Sequence, residues 1–272
     1  MKRFFLCSIV ALYCLPCIAS PRPTLSRTNS KKPRVSIITS VFKGDQFIQS
    51  FLEDIVKQSI FKDCELILIN ANSPGNEEPV IKEYAACYPK IIYTRLDKDP
   101  GLYAVWNMGI KMASADFITN ANIDDKRHPS SIEIEAQALE QDTGIDLVYG
   151  DFLISYRANA PFENNGSLIV AYIPDFSAKN MRWCLPGPQP MWRKSMHKKY
   201  GFFSNDFSSS GDHEMWLRAV SKGSIFKKIP GFISGMYYEN PMGLSTDREQ
   251  EKARERDEAN SRIVQLYSYI WQ

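Results

Sequence analysis

The residues of this chain best suited to chemistry lie at 117–129 (FITNANIDDKRHP). A short apolar run ends there in polar side chains, where Asn122 stands just before the adjacent acids Asp124 and Asp125. Hard cations such as Mg²⁺ and Mn²⁺ bind few protein carboxylates and complete their shell with substrate phosphate oxygens. The cluster therefore predicts a divalent cation and a phosphate-bearing substrate. Asn and Asp are also typical of the turn after a strand, so the surrounding elements must decide.

The bulk composition is that of an ordinary globular protein. The chain has 272 residues, 44% hydrophobic and 24% charged, which suits one large α/β domain or two small ones. A formal net charge of +2 excludes a surface that coats nucleic acid, so we expect no nucleic-acid partner. The cysteines outside the first 20 residues, Cys64, Cys87 and Cys184, match no metal or redox spacing.

The N-terminus predicts a targeting segment. Lys2 and Arg3 precede an apolar run over residues 4–19, which resembles a secretory signal peptide and is near the lower length limit of a membrane span. Residues 1–20 are therefore a signal peptide or a membrane anchor, and the Pro-, Ser- and Arg-containing residues 21–34 a linker. Basic residues that follow the run favour a cytoplasm-facing catalytic domain as the alternative to a secretory or membrane-anchored location. Membrane association thus stays open.

Strand and helix patterns alternate through the first half of the chain. Strands are predicted at 35–40, 64–69, 91–94 and 116–119, and helices between them at 47–60, 78–88 and 104–113. This order predicts an α/β fold with a mostly parallel sheet flanked by helices, in a single domain over residues 35–272. Ligands of such sheets bind beyond the carboxyl ends of the strands. The polar loops 39–45, 70–76 and 120–126 fall at those ends and are expected to form one cleft.

Ordered segments of the chain resemble the family-two inverting glycosyltransferases, which have a GT-A fold. The segments are residues 35–42 (VSIITSVF), 65–73 (ELILINANS), 99–109 (DPGLYAVWNMG), 120–125 (NANIDD) and 211–218 (GDHEMWLR). They resemble, in order, the first nucleotide-binding strand, ELIVVDDGS, D-x-G-[IL]-Y-x-A-x-N-x-G, the metal-binding D-x-D and ED-x-E-[LM]-W-L-R. The resemblance covers about residues 34–245.

The resemblance implies transfer of a sugar from a nucleotide-sugar donor, expected to be UDP-linked, to a hydroxyl of a saccharide or another acceptor. Asp212 would be the general base, although a helix N-cap is the role that its position alone favours. Asp124 and Asp125 would hold Mn²⁺ or Mg²⁺ at the diphosphate. The residues implied to contact the nucleotide sugar are Ser40, Val41, Asn70, Asp99, Asn107 and Asn122.

Two further segments are expected to adjoin the substrates. Residues 186–190 and Trp192 would border the acceptor pocket, because aromatic faces suit sugar rings. Residues 240–246 (NPMGLST) would form a lid over the diphosphate.

Two positions depart from the family pattern. Asn70 and Asn122 stand where the family usually has Asp, which keeps the hydrogen-bonding shape but removes the charge. Asp124 would then supply the principal metal contact, with weaker binding of the cation. The substitutions also suggest the alternative of a catalytically inactive GT-A module that binds carbohydrate or protein. A sugar-nucleotide pyrophosphorylase is disfavoured, since residues 39–44 lack its Gly-rich basic loop.

Overall fold

The central feature of the structure, a computed structural model, is a mixed β-sheet. The model describes residues 31–162, 169–244, 246 and 249–271. Within them the strands are β1 (Val35–Val41), β2 (Cys64–Asn70), β3 (Ile91–Arg95), β4 (Phe117–Asn120), β5 (Lys126–Arg127), β6 (Leu147–Ser155), β7 (Ile169–Ala171), β8 (Met191–Arg193) and β9 (Phe226–Tyr238). Their order across the sheet is β3-β2-β1-β4-β8-β6-β9-β5, and β7 pairs with β6.

Helices cover the sheet and connect its first strands. The α-helices of the described residues are α1 (Ile48–Ile55), α2 (Glu78–Cys87), α3 (Leu102–Met112), α4 (Ser131–Gln141), α5 (Met196–Tyr200), α6 (Gly211–Val220) and α7 (Gln250–Leu266). Because α1, α2 and α3 each return the chain to the same edge, β1 to β4 are parallel. The chain passes outward from β1 to β3 and then crosses to β4 on the other side of β1. The direction of strand order reverses between β1 and β4, which is where ligands of such sheets bind.

The second half of the sheet is antiparallel at most of its pairings. The strand β8 runs antiparallel to both β4 and β6, and β9 is parallel to β6 but antiparallel to β5. The predicted α/β class is confirmed, and the sheet is mixed rather than mostly parallel. The sequence pattern did not predict β9, since Pro230 and Gly231 interrupt it and the register with β6 shifts between Tyr149 and Phe152.

The hydrophobic core lies on both faces of the sheet. Adjacent residues of a strand point to opposite faces, and Ile37 and Ile38 accordingly join different buried clusters. One cluster contains Leu66, Leu68, Phe51, Leu52 and Phe117, and the other contains Ile67, Ile69, Trp106, Trp192 and Trp216. Burial on both faces explains the continuous apolar runs of β1 and β2.

The predicted leader lies outside the described residues, as does most of the linker. In the part of the chain that the structure describes, no helix is both long enough and apolar enough to cross a membrane.

Candidate active site

The polar loops after β1, β2 and β4 lie at one edge of the sheet. Strand register places Val41 beside Asn70 and Ile38 beside Asn120, so the three strands end close together. The pairing continues one residue past the strands, since the N–H of Ala71 donates to the Val41 carbonyl at 3.0 Å. Ser40 is partly exposed at this edge, whereas the Val41 side chain is fully buried. The sheet thus brings the loops 39–45, 70–76 and 120–126 together.

A network around Asn70 joins the first two loops. Asn70 is fully buried, and its Oδ1 accepts a hydrogen bond from the Ser73 N–H at 2.8 Å. The Ser73 hydroxyl accepts a hydrogen bond from the Lys43 N–H at 2.8 Å and donates one to Glu77 Oε1 at 2.7 Å. Glu77 Oε1 also accepts a hydrogen bond from the Gly44 N–H. The Asn70 side chain also interacts with the Tyr93 hydroxyl, whose pKa burial raises overall.

The acidic cluster follows β4, and its two carboxylates have different surroundings. Asp125 is buried, and it accepts hydrogen bonds from the Tyr238 N–H and from the Asn122 amide nitrogen, each at 2.9 Å. Burial, together with the charge of Asp124, raises the pKa of Asp125 to about 8. Asp124 is partly exposed and accepts from the Asn240 amide nitrogen at 2.9 Å, and burial raises its pKa as well. Asp125 therefore connects the loop to β9, while Asp124 is less buried and contacts Asn240, just after β9.

The carboxylates of this cluster do not form a cation cage by themselves. Among the described residues, no group of three or more His, Cys, Asp or Glu side chains is placed to hold a metal ion. Both oxygens of Asp125 already accept protein hydrogen bonds, which leaves Asp124 as the accessible carboxylate. A cation here would thus need ligands from the substrate, as Mg²⁺ and Mn²⁺ do when they bind nucleotides.

A buried ion pair behind the cluster was not predicted from the sequence. Arg127 is 2% exposed and Glu135 is fully buried, with 2.5 Å between guanidinium nitrogen and carboxylate oxygen. Arg127 also donates to the Thr119 hydroxyl and to the Asn120 carbonyl, each at 3.0 Å. Burial raises the pKa of Glu135 to about 7 although Arg127 lowers it, and the second carboxylate oxygen has no described partner. The pair fixes the end of β4, from which the acidic cluster begins.

The first turn of α6 carries Asp212. The helix begins at Gly211, after Ser210 in the left-handed region with φ of 60°, so Asp212 lies inside the helix and is not its N-cap. The Tyr103 hydroxyl donates to Asp212 Oδ1 at 3.1 Å, and the Cys184 thiol donates to Oδ2 at 3.6 Å. The carboxylate is partly exposed. The capping alternative is therefore wrong.

The remainder of α6 is fixed by buried polar contacts. His213 donates from Nε2 to the Met181 carbonyl at 2.9 Å, and burial lowers its pKa. Glu214 pairs with Arg218 at 2.8 Å and accepts from the Tyr267 hydroxyl at 2.8 Å. These contacts fix the helix in place. Of the two acidic residues in its first turn, Glu214 is buried and Asp212 is partly exposed.

A bridging loop, residues 184–190, connects Asp212 with the acidic cluster. At one end the Cys184 thiol contacts Asp212, and four residues later the Pro188 carbonyl accepts from the Asn120 amide nitrogen at 2.9 Å. Asp212 and the end of β4 thus contact the same short segment, four residues apart. Trp192, expected at the acceptor pocket, is fully buried and donates to His197 Nε2 at 2.9 Å, so that expectation is wrong. The exposed indole nearby is Trp183, at 73%.

Two other predicted nucleotide contacts have local partners. Asp99 is exposed before α3 and accepts from the Gly101 N–H at 2.8 Å. Asn107 is buried within α3, where its amide donates to the Phe203 carbonyl at 2.8 Å and accepts from the Phe203 N–H at 3.0 Å. Asn107 therefore supports the loop that leads into α6.

The expected lid is described only in part, since Ser245 lies outside the described residues. Its first residue, Asn240, is the hydrogen-bond partner of Asp124. The Thr246 hydroxyl donates to the Asn240 carbonyl and so closes this segment on itself.

Comparison with known proteins agrees with this architecture. Bacillus subtilis YwdF, named an uncharacterized glycosyltransferase, is 27% identical over 206 residues, which cover 72% of this chain and 71% of YwdF. Staphylococcus aureus TarS 1–349, solved with UDP-GlcNAc, superposes with a TM-score of 0.69 at 13% identity, over 87% of this chain and 66% of that chain.

The mannosyltransferase PcManGT of Pyrobaculum calidifontis, solved with GDP-Man and Mn²⁺, superposes with a TM-score of 0.59 at 13% identity, over 79% of this chain and 59% of its own. At such identities the two structures support the fold. The family itself is shown by the sequence. Residues 36–200, more than half of the chain, match the model of Glycosyl transferase family 2, and the protein therefore belongs to that family.

Proposed function

We propose that this protein transfers a sugar from a UDP-linked donor to an acceptor hydroxyl with inversion at the anomeric carbon. Family membership already makes it a glycosyltransferase that uses a nucleotide sugar. In the proposal the nucleotide lies over the carboxyl ends of β1, β2 and β4. Asp212 is the general base and Asp124 faces the diphosphate. Ser40, Asn70 and Asn122 line the nucleotide side.

The observation that carries the proposal is the shared bridging loop. Asp212 contacts Cys184 at its start, and Asn120, which precedes the acidic cluster, contacts Pro188 near its end. These two contacts lie only four residues apart on one short segment, which supports neighbouring sites for the acceptor and the donor. Such juxtaposition is what a direct displacement requires.

Asp212 has the surroundings that a general base needs. It is partly exposed in the first turn of α6, so an acceptor hydroxyl can reach it. In the proposed step Asp212 accepts the hydroxyl proton while the acceptor oxygen bonds to the anomeric carbon. The bond from that carbon to the phosphate oxygen breaks, and the nucleoside diphosphate leaves from the opposite face. One displacement of this kind inverts the anomeric configuration.

The described residues fit a divalent cation that is shared with the donor. Asp124 would be the protein ligand, and Asp125 would hold the loop through Tyr238 and Asn122. When bound, Mn²⁺ or Mg²⁺ would stabilise the negative charge of the leaving diphosphate. The Mn²⁺ in the PcManGT structure supports this part of the proposal.

The nucleotide is proposed to be uridine diphosphate because the TarS structure contains UDP-GlcNAc. Asn70 would support the nucleotide from beneath, since it is fully buried and its Oδ1 holds the loop after β2 through the Ser73 N–H.

The test is release of nucleoside diphosphate from a panel of UDP- and GDP-sugars with Mn²⁺ or Mg²⁺. We expect turnover of a UDP-sugar and an at least ~100-fold loss in Asp212→Asn, in line with general-base catalysis. The matched control is Asp206→Asn, which changes an exposed carboxylate that accepts only from Ser204 among the contacts described. NMR of the first-formed sugar reports inversion or retention.

Three outcomes would overturn the proposal. Retention of the anomeric configuration would exclude a single displacement. An active Asp212→Asn variant would exclude Asp212 as the general base. Binding of carbohydrate without turnover of any donor would favour the alternative of an inactive binding module.

A further inference from the structure

The carboxylate of Asp212 is held by two donors from distant parts of the chain. Tyr103, in α3, donates to Oδ1 at 3.1 Å, and Cys184, at the start of the bridging loop, donates to Oδ2 at 3.6 Å. Each carboxylate oxygen thus has one protein partner. An oxygen of a carboxylate can accept more than one hydrogen bond, so both remain able to receive an acceptor hydroxyl.

The position of Tyr103 is fixed by packing. Its side chain is 4% exposed, and its ring contacts Trp106 edge-on at 5.7 Å and Phe203 in a stacked arrangement at 5.9 Å between centroids. Gly211 lies against the same ring, and a Cβ at that position would come within 2.7 Å of Tyr103 Cε2. The glycine before Asp212 therefore lets the Tyr103 ring approach, so that its hydroxyl reaches the carboxylate.

Both donors stay protonated in this environment. Burial, followed by the nearby charge of Asp212, raises the pKa of the Tyr103 hydroxyl and of the Cys184 thiol. His213, the next residue on α6, donates to Met181 instead, and burial lowers its pKa. Glu214 is directed to Arg218 and Tyr267. The groups facing Asp212 are thus neutral hydrogen-bond donors.

We propose that Tyr103 is a positioning residue for catalysis: its hydroxyl orients the Asp212 carboxylate towards the acceptor. Cys184 assists from the other oxygen, more weakly because a thiol is a poor donor. The proposal rests on the proposed function, in which Asp212 is the base.

The experiment compares pH–rate profiles of Tyr103→Phe and the unchanged protein, with the most active UDP-sugar and saturating Mn²⁺. Loss of the hydroxyl removes a hydrogen bond to a charged group, worth about one pH unit. We expect the acidic limb of the kcat/KM profile to move up by about one unit. We also expect kcat to fall by about tenfold at neutral pH, while the KM for the donor stays nearly constant.

The matched control is Tyr267→Phe, which also removes a tyrosine hydroxyl that donates to a carboxylate of α6, at Glu214. This control is expected to leave the acidic limb in place. Cys184→Ala gives a second measurement, with a smaller shift of the limb in the same direction, should Tyr103→Phe lose stability. Thermal unfolding of all variants separates a general loss of fold from a shift of the profile.

The outcomes separate this inference from the proposed function. An inactive Asp212→Asn with an unmoved limb in both Tyr103→Phe and Cys184→Ala would overturn the positioning role and leave the base assignment intact. An active Asp212→Asn, or no turnover of any donor, would remove both.

Discussion

At the scale of single residues, neighbours in the sequence have different tasks. Asp124 and Asp125 are adjacent acids, yet Asp125 is 3% exposed and accepts two protein hydrogen bonds, while Asp124 is partly exposed. Asp125 contacts the end of β9, whereas Asp124 contacts Asn240 and stays partly accessible. A change at Asp124 should therefore affect metal binding most, and a change at Asp125 should affect stability most.

The first prediction tests this separation. We expect Asp124→Asn to raise the Mn²⁺ concentration for half-maximal turnover by at least about tenfold, equivalent to ~1.4 kcal/mol. Asp125→Asn should shift it less. Above about pH 8, where Asp125 is ionised, it should lower the free energy of unfolding by about 1–3 kcal/mol, because an amide nitrogen cannot accept the hydrogen bond of Asn122 or of the Tyr238 N–H. Metal titration and urea unfolding measure the two effects. Equal metal sensitivity in both variants would contradict the division of roles.

At the scale of elements, the end of β4 depends on the Arg127–Glu135 pair. Arg127 connects β5 to α4 through Glu135 and reaches back to β4 through Thr119 and Asn120. Removing one member of a buried pair leaves an uncompensated charge, which costs more than replacing both.

The second prediction follows from this asymmetry. Arg127→Met should lower the free energy of unfolding by about 3–5 kcal/mol, and Arg127→Met with Glu135→Leu should recover much of the loss. Urea unfolding measures both variants. If the double variant were as unstable as the single one, the loss would come from the backbone contacts of Arg127 and not from the orphaned carboxylate.

The third prediction concerns the contact between α3 and α6. Gly211→Ala should destabilise the protein by about 1–3 kcal/mol, because the added methyl overlaps the Tyr103 ring. Turnover should also fall, since the ring must move away from Asp212. Gly144→Ala, in an exposed turn, is the control. A fully active and stable Gly211→Ala would show that the two helices have room to separate.

At the scale of the whole molecule, buried acids make stability depend on pH. Burial raises the pKa of Glu135 from 4.5 to about 7 and that of Asp125 from 3.8 to about 8. Between the unfolded and folded values the folded protein binds more protons, so its stability falls as the pH rises.

The fourth prediction uses this sign. Without metal, the free energy of unfolding should fall by several kcal/mol between about pH 5 and about pH 8, since each unit of pKa shift is worth about 1.4 kcal/mol. Glu135→Gln should reduce the slope, whereas Glu83→Gln, on the exposed face of α2, should leave it unchanged. Urea unfolding across the pH range gives the slopes. A rise in stability with pH in the unchanged protein would show that the carboxylates are ionised and paired throughout.

The sequence by itself determined the elements of the parallel half and the loops that meet at its edge. Buried strands such as β1 and β2 are continuous apolar runs, and the polar residues that follow them, including Asn70 and Asp124, must lie at the carboxyl ends of parallel strands. These inferences need only local pattern and the direction of the chain.

Only the tertiary structure decided what each polar side chain contacts. Tyr103 and Asp212, which share a hydrogen bond, are 109 positions apart in the sequence. Asp125 accepts a hydrogen bond from the backbone of Tyr238, which is 113 positions away. Trp192 could not be assigned to the core from its Pro-rich neighbours, because its burial depends on α6 and its own pairing with β4. Local pattern fixes which groups reach the edge of the sheet, whereas their burial and hydrogen bonds depend on segments that come together only when the chain folds.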